Sequence, residues 1–301
     1  MKPVLMIFID GVGIGENDAG KNPFIKYGFK AFEKIFGSIP HLNNSILIND
    51  PYFLFPVDPI MGVPNIPQSG TGQVSIFCGI NAPKFVGKHF GPFPYSSTIP
   101  IIKEKNILKY YKEKGNNVFF ANAYPKIFFD YLKSGKQRLS VTSLSCRLSG
   151  IPLNNASDVR SGKALTAEIT NSRWNKKLKY NLKIIPPKTA ARRLLRIAGR
   201  NHFTLYEFFL TDHLGHGRIP DEFDEIYNNL DGFLTTVLTE MDLENMTLIV
   251  CSDHGNIEDL SVKAHTLNPA LTITAGKYAE QLFNSIKDLS EIKPAIIKYC
   301  K

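Results

Sequence analysis

Apolar runs recur along the chain, and several of them end abruptly at an aspartate, a histidine or a glycine. Val4-Leu5-Met6-Ile7-Phe8-Ile9 reads as a buried parallel strand stopped by Asp10-Gly11. Asn117 to Asn122, Phe203 to Thr211, Thr247 to Cys251 and Ala270 to Thr274 have the same short, β-branched and aromatic character. Between them lie stretches with helical spacing and helix punctuation. Asn22-Pro23-Phe24 opens one that runs to Phe36 with Gly37 as its stop, and Ser69 to Cys78 is closed by Gly79. Ile101 to Lys114 ends at Gly115, and Lys188 to Ala198 and Asp221 to Met241 follow. Strands alternating with helices predict an α/β chain.

Two regions break the alternation. Residues 40–68 are rich in Pro, Asn and Gly and read as a long excursion returning at Gln68-Ser69. Residues 124–187 are polar, basic, Ser-rich and Asn-rich, contain the only tryptophan, Trp174, and end at Pro186-Pro187. They read equally as a small insertion over a site or as a sheet edge with irregular connections. Glu207, inside a strand-like run, needs a partner if buried.

A length of 301 residues with 43% hydrophobic composition supports a substantial core, in one large domain or two modest ones. No apolar run approaches the roughly 20 residues of a membrane helix. Lys2 precedes the first apolar run, but Asp10 interrupts it and no small-residue cleavage site follows, so the run predicts a first buried strand rather than a signal peptide. Cys78, Cys146, Cys251 and Cys300 show no CxxC spacing, which fits a reducing, cytoplasmic setting. The net charge is +9, with basic clusters at Lys103 to Lys114, Arg173 to Lys183 and Lys188 to Arg200. No nucleic-acid-binding motif accompanies them, so they read as solvated helix faces.

The chemistry-bearing residues sit where the strands stop. Asp10, Asp212, Asp253 and His254 follow apolar runs, His216 lies one helical turn beyond Asp212, and His265 precedes the last strand. His213 points away from that face. Ser69, at the start of its helix, sits where free backbone N–H groups and the helix dipole favour an anion; a plain Ser N-cap gives the same pattern. Three carboxylates, three imidazoles and one hydroxyl placed after strands predict one convergent site at a sheet edge. Mixed N and O donors suit Zn, Mn or Fe. Two divalent ions against three carboxylates leave a site that welcomes a dianionic phosphate. The glycines Gly11, Gly13 and Gly15 match no nucleotide-binding spacing.

These segments resemble the alkaline phosphatase superfamily of two-metal enzymes, especially its branch with cofactor-independent phosphoglycerate mutase and phosphopentomutase. Asp10-Gly11-Val12-Gly13-Ile14-Gly15 is similar to that branch's opening motif, Ser252-Asp253-His254-Gly255-Asn256 to its Asp-His-Gly-Asn motif, and Ala264-His265-Thr266-Leu267-Asn268-Pro269 to its terminal His-Thr motif. The resemblance implies a single catalytic domain over residues 1–301, a three-layer sandwich with a mostly parallel central sheet and helices on both faces. It also implies two divalent metal ions, one held by Asp10, Ser69, Asp253 and His254, the other by Asp212, His216 and His265. Gln68-Ser69-Gly70-Thr71-Gly72-Gln73 resembles the nucleophile motif, whose register makes Ser69, rather than Thr71, the phosphorylated residue.

The chain departs from the mutases at Gln73, which stands where they carry a histidine, and in lacking room for their large hinged cap. The expected activity is therefore that of a phosphatase or phosphodiesterase on a small phosphorylated substrate, with a compact phosphomutase or a non-catalytic metal-binding or phospho-ligand-binding homologue as the alternatives. The sulfatase context Cys/Ser-x-Pro-x-Arg is missing around Ser69. Lys88 and His89, between glycines and aromatics in Gly87-Lys88-His89-Phe90-Gly91, are candidate substrate contacts, or else part of a surface turn anchored by Phe90 and Phe93.

Overall fold

The strand Val4–Ile9 (β1) is buried along its whole length, and its side chains alternate between two cores. Leu5, Ile7 and Ile9 face one hydrophobic cluster, and Val4, Met6 and Phe8 face another. A strand buried on both faces must lie in the middle layer of three, as an unbroken apolar run leads one to expect. The computed structural model describes residues 2–135 and 138–300.

In chain order β1 is followed by α1 (Pro23–Tyr27), α2 (Lys30–Phe36), β2 (Leu47–Asn49), β3 (Tyr52–Val57), α3 (Ser69–Cys78) and α4 (Ala82–Val86). Next come α5 (Ile99–Lys105), α6 (Ile107–Glu113), β4 (Val118–Phe120), α7 (Lys126–Lys133), α8 (Val141–Leu148), α9 (Ala156–Arg160) and α10 (Ser172–Leu178). The last part holds α11 (Pro187–Ala198), β5 (Phe203–Phe208), α12 (Leu210–Gly215), α13 (Phe223–Glu240), β6 (Thr247–Cys251), β7 (Ala270–Gly276), α14 (Ala279–Ser285) and α15 (Ile292–Tyr299). The seven strands form one sheet in the order β2-β3-β7-β6-β1-β5-β4. The pairs β6–β1, β1–β5 and β5–β4 are parallel, while β2–β3, β3–β7 and β7–β6 are antiparallel. The sheet is thus mixed, with only β2 and β7 running against the other strands. Helices α2, α11 and α13 cover the face of Leu5, and α3, α5, α6, α8, α14 and α15 cover the face of Val4. This is the expected α/β sandwich.

Three local readings are refined by the fold. The stretch 22–36 is two helices, because Gly28 at φ 73° and the extended Phe29 interrupt it. The stretch 101–114 is likewise split at Asn106, which turns extended and accepts the Lys109 N–H to cap α6. The excursion 40–68 contains the hairpin β2–β3, which zips onto β7. Pro56 is tolerated in β3 because β2 pairs only as far as Leu54, leaving Pro56 without a partner on the side its missing N–H would serve.

The stretch 124–187 divides in two. Helix α8 contributes Val141 and Cys146 to the main core. Ala123, Val159, Ala164, Trp174 and Leu182 form a separate small cluster, tied back to the end of β4 by bridges from Asn122 to Leu165 and from Ala123 to Asn154.

Candidate metal centre

The adjacent parallel strands β6, β1 and β5 deliver their carboxyl ends to one place, the crevice where open α/β sheets put their chemistry. Asp10 follows β1 and its N–H donates to Phe208 O of β5. Asp253 and His254 follow β6 and are fully buried. Asp212 lies in α12, the short helix after β5, with His216 as its C-cap. His265 comes from the loop between β6 and β7, and Ser69 from the first turn of α3. All seven candidate residues are brought together, within two overlapping groups. Asp10, Asp212 and His254 place ligand-type atoms within 4.8 Å of one another, and so do Asp212, His216 and His265.

In the inner group, Ser69 Oγ lies 2.9 Å from His254 Nε2 and 3.5 Å from Asp10 Oδ1. His254 Nε2 is also 3.4 Å from Asp10 Oδ1 and 3.6 Å from Asp253 Oδ2. In the outer group, Asp212 Oδ1 is 3.2 Å from His216 Nε2 and 3.3 Å from His265 Nε2, and those two nitrogens are 3.1 Å apart. His216 Nδ1 is 2.9 Å from Lys263 O and His265 Nδ1 is 2.8 Å from Pro67 O. A carbonyl only accepts, so each Nδ1 carries the proton and each Nε2 turns a lone pair inward. Two such lone pairs and a carboxylate oxygen facing one another repel unless a cation or a proton lies among them. Histidines oriented by a carbonyl behind the ring are the usual arrangement of metal ligands. The donor set therefore fits divalent metal ions.

The ionisation of these groups reflects the crowding. Burial, then the neighbouring Asp253 and Asp212, push the Asp10 carboxyl well above the usual carboxylate range. Burial pushes the His254 imidazole down. Asp212 behaves oppositely: burial opposes its charge, but the hydrogen bond to His265 and the charges of His254 and His216 outweigh it and hold the carboxyl well below the usual range. Burial likewise pulls His265 down, yet its contacts with Asp212 and the Pro67 carbonyl leave it raised.

The local sequence fixes this geometry through close approach. A Cβ at Gly70 would lie 2.6 Å from Phe90 O, and one at Gly72 would lie 3.0 Å from the Asp253 side chain, so α3 packs directly on both. Thr71 is buried, accepts the Phe90 N–H at 3.1 Å, and lies within 3.2 Å of Gln68 O. Its hydroxyl anchors the loop, while Ser69 faces the carboxylates and imidazoles.

Several neighbours have contacts that the sequence reading did not assign. The Gln73 amide donates to Asp253 at 3.3 Å and to Asp10 at 3.5 Å, while its own carbonyl oxygen is buried without a partner. Asn256 donates to Asp212 Oδ1 at 2.7 Å. Glu258, buried, accepts the N–H groups of Gly13 and Asn256 and the side-chain amide of Asn268, tying together the three motif loops. Asn256 closes the Asp-His-Gly-Asn motif, and Glu258, two residues on, could have been flagged from it. Arg218, whose guanidinium is 3.5 Å from Asp212 Oδ2, and Lys263 line the recess that opens above Ser69, and no motif marks them. Glu207 has the partner it needed: the Thr142 hydroxyl donates to its carboxylate at 2.8 to 2.9 Å, and the Asn122 amide oxygen accepts its N–H. Burial raises Glu207 to about 7.

The two candidate substrate contacts lie to one side. Lys88 and His89 line a neighbouring recess with Asn65, Phe90 and Gly91, sharing only Ile66 and Gln68 with the recess of Ser69. His89 Nε2 sits 3.1 Å from Val63 O, and Lys88 Nζ rests 5.9 Å from the ring centres of Phe90 and Tyr95.

The fold is α/β, and the donor set at its sheet edge fits divalent metal ions. Residues 183–301 match the family described as the Metalloenzyme superfamily. The fold is similar to that of the PH0037 protein from Pyrococcus horikoshii, at 16% identity over 92% of this chain and 86% of that one with a TM-score of 0.53. It is also similar to alkaline phosphatase from the Antarctic bacterium TAB5, at 13% identity over 99% and 97% with a TM-score of 0.50, and to the cold-active alkaline phosphatase of the psychrophile Shewanella sp., at 10% identity over 98% and 99% with a TM-score of 0.51. No curated protein matches by sequence. The fold is thus similar to that of alkaline phosphatases, and the carboxyl-terminal part of the chain matches a family model of metalloenzymes. Among the described residues no helix is long and apolar enough to cross a membrane.

Proposed function

We propose that the chain is a metal-dependent phosphatase or phosphodiesterase that acts on a small phosphorylated substrate through a phosphorylated Ser69. The observation that carries this reading is the position of Ser69 Oγ. It lies at the start of a buried helix, within 3.5 Å of both His254 Nε2 and Asp10 Oδ1, and at the floor of a recess shared with Asp212, His216 and His265. Two divalent ions, Zn or Mn, would be held by Asp10, Ser69, Asp253 and His254 on one side and by Asp212, His216 and His265 on the other, with Asp212 also within reach of the first, and would supply Lewis acidity and lower the pKa of the nucleophile.

The remaining work falls to the chain. The first turn of α3 presents Ser69 with the helix dipole favouring negative charge on its oxygen. Asp10 and Asp253 are steadied by the Gln73 amide, and Asp212 by Asn256. Arg218 and Lys263, at the mouth, attract the phosphoryl oxygens. Ser69 gives up its hydroxyl proton to solvent and forms the Oγ–P bond as the ester P–O bond breaks; the departing alkoxide takes up a proton and leaves as the alcohol. Water then cleaves the phosphoserine, releasing phosphate, or a monoester from a diester, and restoring the Ser69 hydroxyl. We place this activity in the cytoplasm, which the four buried, free cysteines suit.

The test combines metal analysis with turnover of simple phosphate monoesters and diesters. Acid quenching during turnover of a ³²P-labelled ester should trap label on Ser69. Ser69→Ala should retain its fold and lose turnover by on the order of 10³-fold or more. Label elsewhere on the chain, or undiminished turnover in Ser69→Ala, sinks the serine mechanism.

A further inference from the structure

Beside the metal centre lies a cavity of about 440 Å³ that the phosphoryl chemistry does not use. Its walls come from α7, α10 and the end of β5: Tyr124, Ile127, Phe128, Tyr131, Trp174 and Phe209 are its aromatic and apolar lining. The size is that of a small-molecule pocket. We propose that this cavity receives the alcohol portion of the phosphate ester, and that this portion is an uncharged, planar, apolar group such as an aromatic ring. The proposal rests on the reading of Ser69 and its metal centre given above.

Three observations carry it. First, α7 has no fully buried residue although Ile127, Phe128 and Tyr131 are large. Ile127 is 68% exposed, and Leu178 and Phe209 on the other walls are also exposed. Single exposed apolar side chains are ordinary, but several gathered on one concave surface mark a binding site. Second, the charged side chains around the cavity are already engaged. Arg173 Nε and Lys177 Nζ both bind Glu222, at 2.9 and 3.3 Å, and Glu168 accepts from Thr166 and Thr170. A flat apolar guest would cover the exposed rings without displacing these contacts.

Third, the cavity adjoins the site through α12, whose N-terminal end lines the cavity and whose Asp212 lines the Ser69 recess. Phe209 caps α12, and Asp212 stands about one helical turn further on, some 5 Å along the axis. The Phe209 ring lies 5.5 Å from that of His213, one residue past Asp212, while Arg173 lines the cavity and Arg218 the Ser69 recess. A phosphoryl group above Ser69 can therefore extend its alcohol portion over the Phe209–His213 ridge into the aromatic pocket.

Trp174 is the only tryptophan and lines the cavity, so its fluorescence reports occupancy directly. The probes are 4-nitrobenzyl alcohol, whose ring quenches tryptophan, and two esters with alcohols of similar acidity, benzyl phosphate and ethyl phosphate. We expect saturable quenching by the nitrobenzyl alcohol, and a kcat/KM for the benzyl ester about 10- to 100-fold above that of the ethyl ester, the range that burial of one ring can supply. Ile127→Glu, at a position too exposed to endanger folding, should weaken the quenching and reduce the ratio of the two kcat/KM values at least about tenfold. Linear quenching up to the solubility limit, or a ratio near one in both proteins, overturns the pocket assignment. If the Ser69 reading alone is wrong, neither ester depends on Ser69 for its turnover, yet the alcohol still quenches saturably.

Discussion

The two ligand groups of the centre share Asp212 but are built differently. Asp10, Asp253 and His254 are set by the ends of two central strands, and the latter two are wholly shielded from solvent. His216 and His265 are oriented from behind by the carbonyls of Lys263 and Pro67, which belong to loops, and His216 is half-buried at the mouth. Their ion-free protonation differs accordingly. Burial and then crowding push Asp10 up and burial pushes His254 down, so the inner group sheds charge, whereas Asp212 and His265 favour a charged pair. Sheet-borne ligands are preorganised at folding, and loop-borne ligands are ordered only as far as their own hydrogen bonds hold them. The outer ion should thus be the first lost.

The largest effect should come from removing what the two groups share. Asp212→Asn is expected to lower metal content at both positions and turnover by on the order of 10³-fold or more, whereas His216→Ala should cost the outer ion alone. Metal analysis after graded chelation checks this. If Asp212→Asn keeps one ion at full occupancy, the two groups do not share that carboxylate. If chelation removes both ions from the native protein in a single step, the distinction between a sheet-borne and a loop-borne site fails.

A smaller effect tests the electrostatics behind the inner group. Glu207, at about 7, is raised above the ordinary glutamate value mainly by burial. A raised folded-state pKa contributes stability below the unfolded pKa and loses it as pH rises through the folded one. In chelator-treated protein, therefore, the native chain should weaken relative to Glu207→Gln between about pH 5 and pH 9, by on the order of 3 kcal/mol. Urea unfolding of both proteins across that range measures it. A difference that does not vary with pH means that Thr142 and the surrounding polar groups already solvate the charged form.

The strand-borne half of the centre was legible in the sequence for a physical reason. Val4–Ile9 and Thr247–Cys251 are unbroken apolar runs that can only be inner strands, and Asp10 and Asp253 stop them, so position and chemistry were announced together. The one-turn spacing of Asp212 and His216 was equally visible and is realised in α12. What stayed hidden depended on long-range pairing. The hairpin β2–β3 lies among Asn and Pro residues and gains its order from β7, far along the chain. Glu258 and Gln73 act by bridging loops that meet only once the sheet has formed. The aromatic cavity needs α7 and α10 to converge, and no periodicity in residues 124–187 encodes that meeting.

The smallest effect separates the two cations that could serve the substrate. Lys88 stood out in sequence because glycines and aromatics surround it, yet its ammonium rests over Phe90 and Tyr95 beside a recess next to that of Ser69. Arg218 carries no motif, but its guanidinium lies by Asp212 inside the recess itself, with its side chain 55% exposed and free to swing toward a phosphoryl group. A planar fork at the mouth can grip two phosphoryl oxygens at once, which a distant ammonium cannot. Arg218→Ala should therefore raise KM about tenfold, the value of one charge-assisted contact, while Lys88→Ala should change KM and kcat by less than about twofold. Steady-state kinetics on one small ester decides between them. An effect of Lys88→Ala equal to that of Arg218→Ala would mean that the substrate spans both recesses, and that the loop following the nucleophile helix is part of its grip.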